Sequence, residues 1–449
     1  MYTYQDLLMK QDSERMDFVH GAINQHKTTP LYKTARIAKD YARHQNTTIM
    51  QYQKLLYTVS GNAVPDNWSA NYKIPSNFFN RFITQEVQYL LGNGVTWENG
   101  AGDRLGDDFD IQLQKAGKEA LIGGVSFGFW NYDHLEVFSV LEFVPLYDEE
   151  NGALCAGVRF WQIDGSKPLR ATLYEIDGYT DYMWSKGKGQ ILHEKRTYKQ
   201  RVAYSDVDGM QIYDGDNYPT FPIVPLWGNP DRQSEIIGLR HQIDAFDLIK
   251  SGFANDLDDV SQIYWTISNA GGMDDIDLAQ FVQRLKTVKA AGVSDGEQVQ
   301  AHSLDVPYAA REAILDRLSK DMYRDYMALD VDEIAAGAVT ATQIRAAYEP
   351  MNSKADQFEY CVLDFLKGIL AIVGLEDNPT FTRSTIVNTT EEIQNLVAAG
   401  VYLDQEYVTE KILNLLGDGD KAEEILKRMA AAEIDRGRLF AEEGDVIET

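Results

Sequence analysis

The chain has 449 residues, 44% of them hydrophobic and 11% aromatic, enough apolar material for packed cores and too much for an intrinsically disordered chain. That length exceeds what one hydrophobic core usually serves, so two or more subdomains are expected. With 69 acidic against 42 basic residues the net charge is −27, which excludes an ordinary DNA-gripping protein, because those neutralise phosphates with lysine and arginine. The acidity suits solubility alone, or a wall along which DNA slides without finding places to stick. Cys155 and Cys361 lie far apart without CxxC spacing and read as free buried thiols of a reducing cytoplasm. Met1-Tyr2-Thr3-Tyr4 opens a polar segment with neither a basic nor an apolar leader region, and the longest apolar run, near 368–375, is too short for a bilayer. Neither a signal peptide nor a membrane partner is expected.

In chain order, 1–60 is predicted helical, with Asp12 or Ser13 capping a first segment and a second, rich in Lys, Arg and Ala, over 31–45. A polar loop over 61–71 leads through Lys73-Ile74-Pro75-Ser76-Asn77 into a helix that reaches Leu91-Gly92. A helix over 108–121 precedes Gly123-Gly124. Alternation predicts strands over 127–132, 136–141 and 158–163, with Asn151-Gly152 as a turn. The double glycine lacks the Gly-x-x-Gly opening of a dinucleotide-binding helix and reads as a packing or turn element. An apolar strand over 221–227 ends at Gly228-Asn229-Pro230. Ser234, followed by Glu235, has the form of an N-cap. After it Ile236, Leu239, Ile243, Phe246, Ile249, Phe253, Leu257 and Val260 recur in steps of three or four, which predicts one apolar stripe on a helix of about 25 residues.

Between 261 and 306 the pattern changes. Ala270-Gly271-Gly272 breaks the chain, 277–286 reads as a short helix and 293–304 as strand. Pro307 opens another helix at its first position, with Leu315, Leu318, Met322 and Tyr326 on one face and Asp316/Lys320 and Arg317/Asp321 as i,i+4 pairs. The small, acidic stretch 328–341 reads as a loop. A helix over 342–373 follows, which Pro350 should kink. A strand at 381–384, a helix capped at Thr389/Thr390, a helix over 406–416 and a charged closing helix over 421–439 complete the chain, with disorder expected from Asp445 onward.

Few residues suggest chemistry. Asn255-Asp256-Leu257-Asp258-Asp259 offers three neighbouring carboxylates; a divalent-metal site and a solvated helix face are both open, without EF-hand spacing or a nearby histidine to favour the metal. Gly417-Asp418-Gly419-Asp420 reads as a turn, with calcium as the alternative. The histidines form no HxxxH or HExxH pair, and neither GxSxG nor a Walker A loop is present. No catalytic residue, resident metal or cofactor is assigned, and an ATP-driven motor is excluded. Lys186, Lys188, Lys195, Arg196, Lys199 and Arg201 cluster on a hairpin, either as a nucleic-acid patch or as its solvent face.

The strand at 221–227, the asparagine after it, and Ile243-Asp244-Ala245-Phe246-Asp247 with Ser251 and Asp256 resemble a signature of the portal proteins of tailed, siphophage-type bacteriophages. Tyr89, Leu91-Gly92 and Gly94-Val95 are similar to the family's "Y.LG.GV" element, and Phe143 to Asp148 and Leu173 to Asp177 resemble two of its strands. Ala38-Lys39-Asp40-Tyr41 is similar to the end of an early helix, and Thr340-Ala341-Thr342-Gln343-Ile344 to a "TATxI" element. The resemblance implies a predominantly helical α+β, portal-type fold. Its parts would be a wing of helices and strands over 1–233, stem helices over 234–260 and 307–327, and a clip over 261–306. A tunnel loop over 328–341, a kinked helix and returning wing over 342–390, and a short crown over 391–449 would follow.

It further implies a head-to-tail ring of about twelve copies at one capsid vertex, with a formal charge on the order of −300. Double-stranded DNA would pass through this channel during packaging and ejection. The terminase and the head–tail connector would dock at the clip, near Lys286 and Lys289, and scaffold and major capsid protein would be further partners. Asp256, Asp258 and Asp259 would line the stem channel. Asp330, Asp332 and Glu333 would face the phosphates from the tunnel loop, with Gly337 giving it freedom to flex. The location implied is the virion, with the host cytoplasm during assembly. The alternative reading is a cytoplasmic metal-dependent enzyme built on Asp256, Asp258 and Asp259.

Overall fold

Short capped helices open the chain because polar residues at their starts satisfy the first free amides. The computed structural model describes residues 2–57, 61–66, 69–204, 211–260, 264–268, 298–302, 308–332, 341–384, 389–416, 419–422 and 424–429. The chain divides into two units, one of 1–328 with 350–383, the other of 329–349 with 384–449.

In the first unit α1 (Tyr4–Leu8) is closed by Thr3, whose hydroxyl accepts the Asp6 N–H while Asp6 accepts the Thr3 N–H. Helix α2 (Asp12–His26) begins after Gln11, so Asp12 and Ser13 lie inside its first turn instead of capping it. Helix α3 (Pro30–Ala42) carries Thr29 as its cap and proline at its start. After α4 (Thr47–Gln51), β1 (Leu55–Tyr57) pairs with β2 (Ala63–Pro65), so the helical expectation for 1–60 fails at its end. Helix α5 (Phe78–Leu91), β3 (Val95–Trp97), α6 (Gly102–Leu105) and α7 (Phe109–Gly123) follow.

The strands form two main antiparallel sheets. Strands β4 (Val125–Asn131) and β5 (His134–Ser139) make a hairpin. Then β6 (Phe143–Tyr147), β7 (Leu154–Trp161), β8 (Leu169–Glu175), β9 (Gly178–Ser185) and β10 (Lys188–Arg196) run as a meander in sequence order. The predicted Asn151-Gly152 turn joins β6 to β7, with Gly152 at φ 69°. Strands β11 (Lys199–Tyr204) and β12 (Gln211–Asp216) pair with each other, and β13 (Ile223–Trp227) returns beside β4. Phe18, Val19 and Ile23 of α2 pack on Val144, Val158 and Leu173 of the meander. The larger core joins Phe79, Phe82 and Ile83 of α5, Leu113 and Leu121 of α7 and Phe127 of β4.

Helix α8 (Ile236–Val260) spans 25 residues, as its periodicity predicts. Strands β14 (Tyr264–Ser268) and β15 (Gln298–His302) form an antiparallel pair, and α9 (Tyr308–Tyr326) carries the expected Asp316–Lys320 and Arg317–Asp321 pairs, each at 3.0 Å. Helix α10 (Ala341–Val373) contains Pro350, and the boundary between the two units falls at that proline. Its later turns bury Phe358, Val362, Phe365 and Ile369 in the core of the first unit. Strand β16 (Pro379–Phe381) pairs with β3.

The second unit contains the first turns of α10 and the helices α11 (Thr389–Ala399) and α12 (Gln405–Leu416), which pack as a pair. The expected closing helix over 421–439 lies largely outside the described residues. Among the described residues no helix is long and apolar enough to cross a membrane.

Candidate functional site

The start of α8 is locked to the end of α7. Gly124 takes φ 88°, a left-handed turn that favours glycine, and ends α7. The chain entering α8 then satisfies the exposed end of that helix. Gly228 N–H donates to the Gly124 carbonyl at 3.1 Å, Glu235 N–H to Leu121 at 3.1 Å, and the buried Ser234 hydroxyl to Ile122 at 2.5 Å. Ser234 also accepts the Ile236 N–H at 3.3 Å. A Cβ on Gly228 would lie 2.6 Å from the Ala120 carbonyl oxygen, so this close approach requires glycine.

Along α8 the buried face changes chemistry. Ile236, Leu239 and Ile243 are buried as their spacing predicts, whereas Leu257 is 52% exposed. Further along, the buried residues are Asp247, Ser251 and Asn255, one per helical turn, each at most 2% exposed. They hold the extended segment 72–76 by its backbone. Asp247 accepts the Ser76 N–H at 2.8 Å, Ser251 accepts the Ile74 N–H at 3.0 Å, and Asn255 accepts the Tyr72 N–H at 2.6 Å. The register follows from two repeats. Four helical residues rise about 6 Å, and two extended residues about 6.6 Å. Every second amide therefore meets a polar side chain. Pro75, without an N–H, occupies a skipped position. Asn46 donates to Asp247 at 2.5 Å, and Asp244 accepts hydrogen bonds from the Tyr41 and Thr48 hydroxyls. Burial pushes the Asp247 carboxyl up, against the Asn46 and Ser76 hydrogen bonds that hold it down.

A charge cluster, buried at Glu86 and Tyr326 and partly buried at Glu235 and Lys354, lies beside the launch of α8. Lys354, four residues after Pro350 on α10, reaches Glu235 at 2.6 Å and Glu86 of α5 at 3.8 Å, and stands 4.0 Å from the ring centre of Tyr326 on α9. Tyr326 donates its hydroxyl proton to Glu86 at 2.5 Å, and Asn229 donates to Glu235 at 2.7 Å. Burial drives the Glu86 carboxyl up to about 7, with Lys354 opposing the shift and Glu235 adding to it. Burial and the neighbouring Glu86 likewise raise the Tyr326 phenol well above its ordinary range. One lysine thus links α5, the start of α8, the end of α9 and the middle of α10.

Helices α8 and α9 run antiparallel. Gln242 donates to Asp325 near one end; at the other, Arg311 meets Asp256 at 2.5 Å and Phe253 packs against Tyr308 at 5.6 Å between ring centres. Asp256, a predicted channel-lining or metal residue, is therefore already neutralised by a cation. The side chains of Asp258 and Asp259 lie outside what is described. Among the described residues no three His, Cys, Asp or Glu side chains gather as metal ligands. Asp330 accepts the Asp332 N–H at 3.1 Å, a local turn in the second unit, whereas Glu333, Gly337, Lys286 and Lys289 fall outside the described residues. In the basic hairpin Lys195 pairs with Glu175 and Asp177, and Lys186 and Lys188 flank the β9–β10 turn in the open.

The polar stripe of α8 and the Glu86–Glu235–Lys354–Tyr326 cluster are absent from the sequence-based expectations. A signal for the first was present, since Asp244, Asp247 and Ser251 belong to the quoted signature. Their partners lie about 170 to 200 positions away in sequence, and periodicity carries no information over such distances.

Residues 31–434 match the family model described as phage portal protein, SPP1 Gp6-like. The portal protein of Clostridium phage phiCD119 is 23% identical over 362 residues, covering 72% of this chain and 77% of that protein. The portal protein of Bacillus phage SPP1 is 23% identical over 422 residues, covering 84% of this chain and 79% of that protein. A chain from the virion of a native gene transfer agent particle superposes with a TM-score of 0.43 at 12% identity, over 75% of this chain and 89% of that one. A superposition that loose carries no part of the functional reading.

Proposed function

The chain belongs to the SPP1 Gp6-like family of phage portal proteins, and from that premise we propose that it forms a ring whose central channel carries double-stranded DNA into and out of the capsid. Portal proteins of this family are structural parts of the virion, and no reaction is assigned to this chain. In the proposed ring, α8 and α9 are the stem, and residues 261–306 are the clip on which terminase and later the connector dock. Residues 328–341 form the tunnel loop, 342–390 the kinked helix and returning wing, and 391–449 a short crown. Residues 1–233 are the wing. Assembly takes place in the host cytoplasm alongside scaffold and major capsid protein.

The observation that carries the reading is the antiparallel pair of α8 and α9 flanking an inserted segment that begins and ends in the paired strands β14 and β15. A helix of 25 residues is about 37 Å long, long enough to set the insert well away from the launch on α7. The stripe of Asp247, Ser251 and Asn255 supports a rigid stem, because it ties its first helix to the wing through several turns. Removing residues 330–338 from the chain used to assemble particles tests the tunnel-loop assignment. Rings and capsids should still form, but DNA-filled heads should be lost. Normal genome packaging by the deletion variant would contradict the assignment.

A further inference from the structure

On the first unit, one concavity opposes the charge of the whole chain. A groove of about 420 Å³ lies between α3 and α7 on one side and the ends of β7 and β8 on the other. Lys27, Lys39, Arg43 and Lys115 line it, against the carboxylates Glu119 and Glu142. Lys39 is taken up by Glu119. Lys27, Arg43 and Lys115 have no carboxylate partner among the described residues. Lys27 sits 5.1 Å from the ring centre of Phe160, and partial burial pulls its ammonium below the usual lysine range. The opposite wall is apolar: Phe160 is buried, Trp161 and Leu169 are half-buried, and Ile163, next along from the lining, is 86% exposed.

Charge and shape together choose the occupant. A polyphosphate strand would meet the Glu142 carboxylate in the groove, would leave the apolar wall unfilled, and is repelled at long range by a chain of charge −27. A protein segment bearing both carboxylates and an apolar side chain satisfies both walls, in the manner of an anchored interface. Copies of this same chain supply such surfaces in excess. Head-to-tail association joins two different patches of one surface, so strongly acidic subunits gain most where an atypical basic patch meets a typical acidic one. We propose that this groove receives an acidic, apolar-anchored surface segment of a second copy of this chain. The inference rests on the ring reading and adds to it the surface that holds neighbouring copies together.

The test places the photo-crosslinking residue p-benzoylphenylalanine at Ile163 of the full chain, maps the products by mass spectrometry, and examines the same preparation for rings. Covalent pairs of this chain are expected, in which the second peptide carries aspartate or glutamate. Replacing Lys27, Arg43 and Lys115 together by glutamate should weaken self-association by about tenfold or more. The corresponding glutamine variant should fall between the two, with thermal unfolding of both variants close to that of the unchanged chain. Rings that form without a self-crosslink, or that tolerate both triple variants, would overturn this inference and leave the ring reading standing. Crosslinks only to DNA or to another protein would also overturn it. Absence of rings together with absence of a self-crosslink would overturn both.

Discussion

At Asp247 two donors, the Ser76 amide and the Asn46 side chain, converge on one fully buried carboxylate. Truncation to alanine leaves both without a partner, so Asp247→Ala should cost about 3 kcal/mol in chemical denaturation. At Lys354 the reasoning concerns charge. Removing the ammonium leaves the partly buried Glu235 carboxylate beside the buried Glu86, and Lys354→Met should destabilise the chain by about 2 kcal/mol, read in chemical denaturation. Glu86 supplies the pH dependence. Its carboxyl is raised from 4.5 to about 7, so in that window the folded chain keeps a proton that the unfolded chain has released. Stability contributed by this site is therefore greatest below pH 4.5 and falls as the pH rises towards 7. The gap corresponds to about 3 kcal/mol. Unfolding of Glu86→Gln beside the unchanged chain should show the variant gaining about that much relative stability across the window. A parallel pH profile for the two proteins would remove Glu86 from the account.

Among the elements, α8 shows most clearly what a sequence exposes and what it hides. Its length, its start after Ser234 and its first buried residues, Ile236, Leu239 and Ile243, follow from local periodicity and capping. So do the Asn151-Gly152 hairpin and the ion pairs of α9, because each depends on neighbours a few positions apart. Beyond Ile243 the same periodicity misleads, since Leu257 is exposed while Ser251 and Asn255 are buried. What decides their burial is the backbone of 72–76, which needs partners for its amides, and no local pattern announces that docking. Lys354 is hidden for the same reason, since its partners Glu86, Glu235 and Tyr326 come from three separate elements. Gly228 tests the launch of the helix. Gly228→Ala pushes a methyl group into the Ala120 carbonyl and should loosen the amides of Glu235 and Ile236, read as faster native-state hydrogen exchange there than in the β6–β10 meander. Equal exchange in variant and parent would show that the launch tolerates the shift.

For the whole molecule, net charge is the dominant physical fact. An isolated subunit at −27 is disfavoured from non-specific contact with DNA, and the proposed ring of such subunits would present phosphates with a largely repelling wall. In the proposed ring, movement of DNA would depend on channel geometry, and the sequence contains no Walker A loop. The antiparallel pair of α8 and α9, the polar attachment of α8 to residues 72–76 and the lysine that joins four elements each tie distant parts of the chain together, as the proposed conduit requires. The central claim is therefore assembly into a channel-forming ring. Electron microscopy of the purified full-length protein, with its mass in solution measured by light scattering, tests that claim most directly. The account predicts rings of about a dozen subunits, each with a central opening wide enough for duplex DNA. A population that stays monomeric by mass and shows no ring by microscopy, both alone and in the presence of the scaffold protein proposed as its assembly partner, would contradict it.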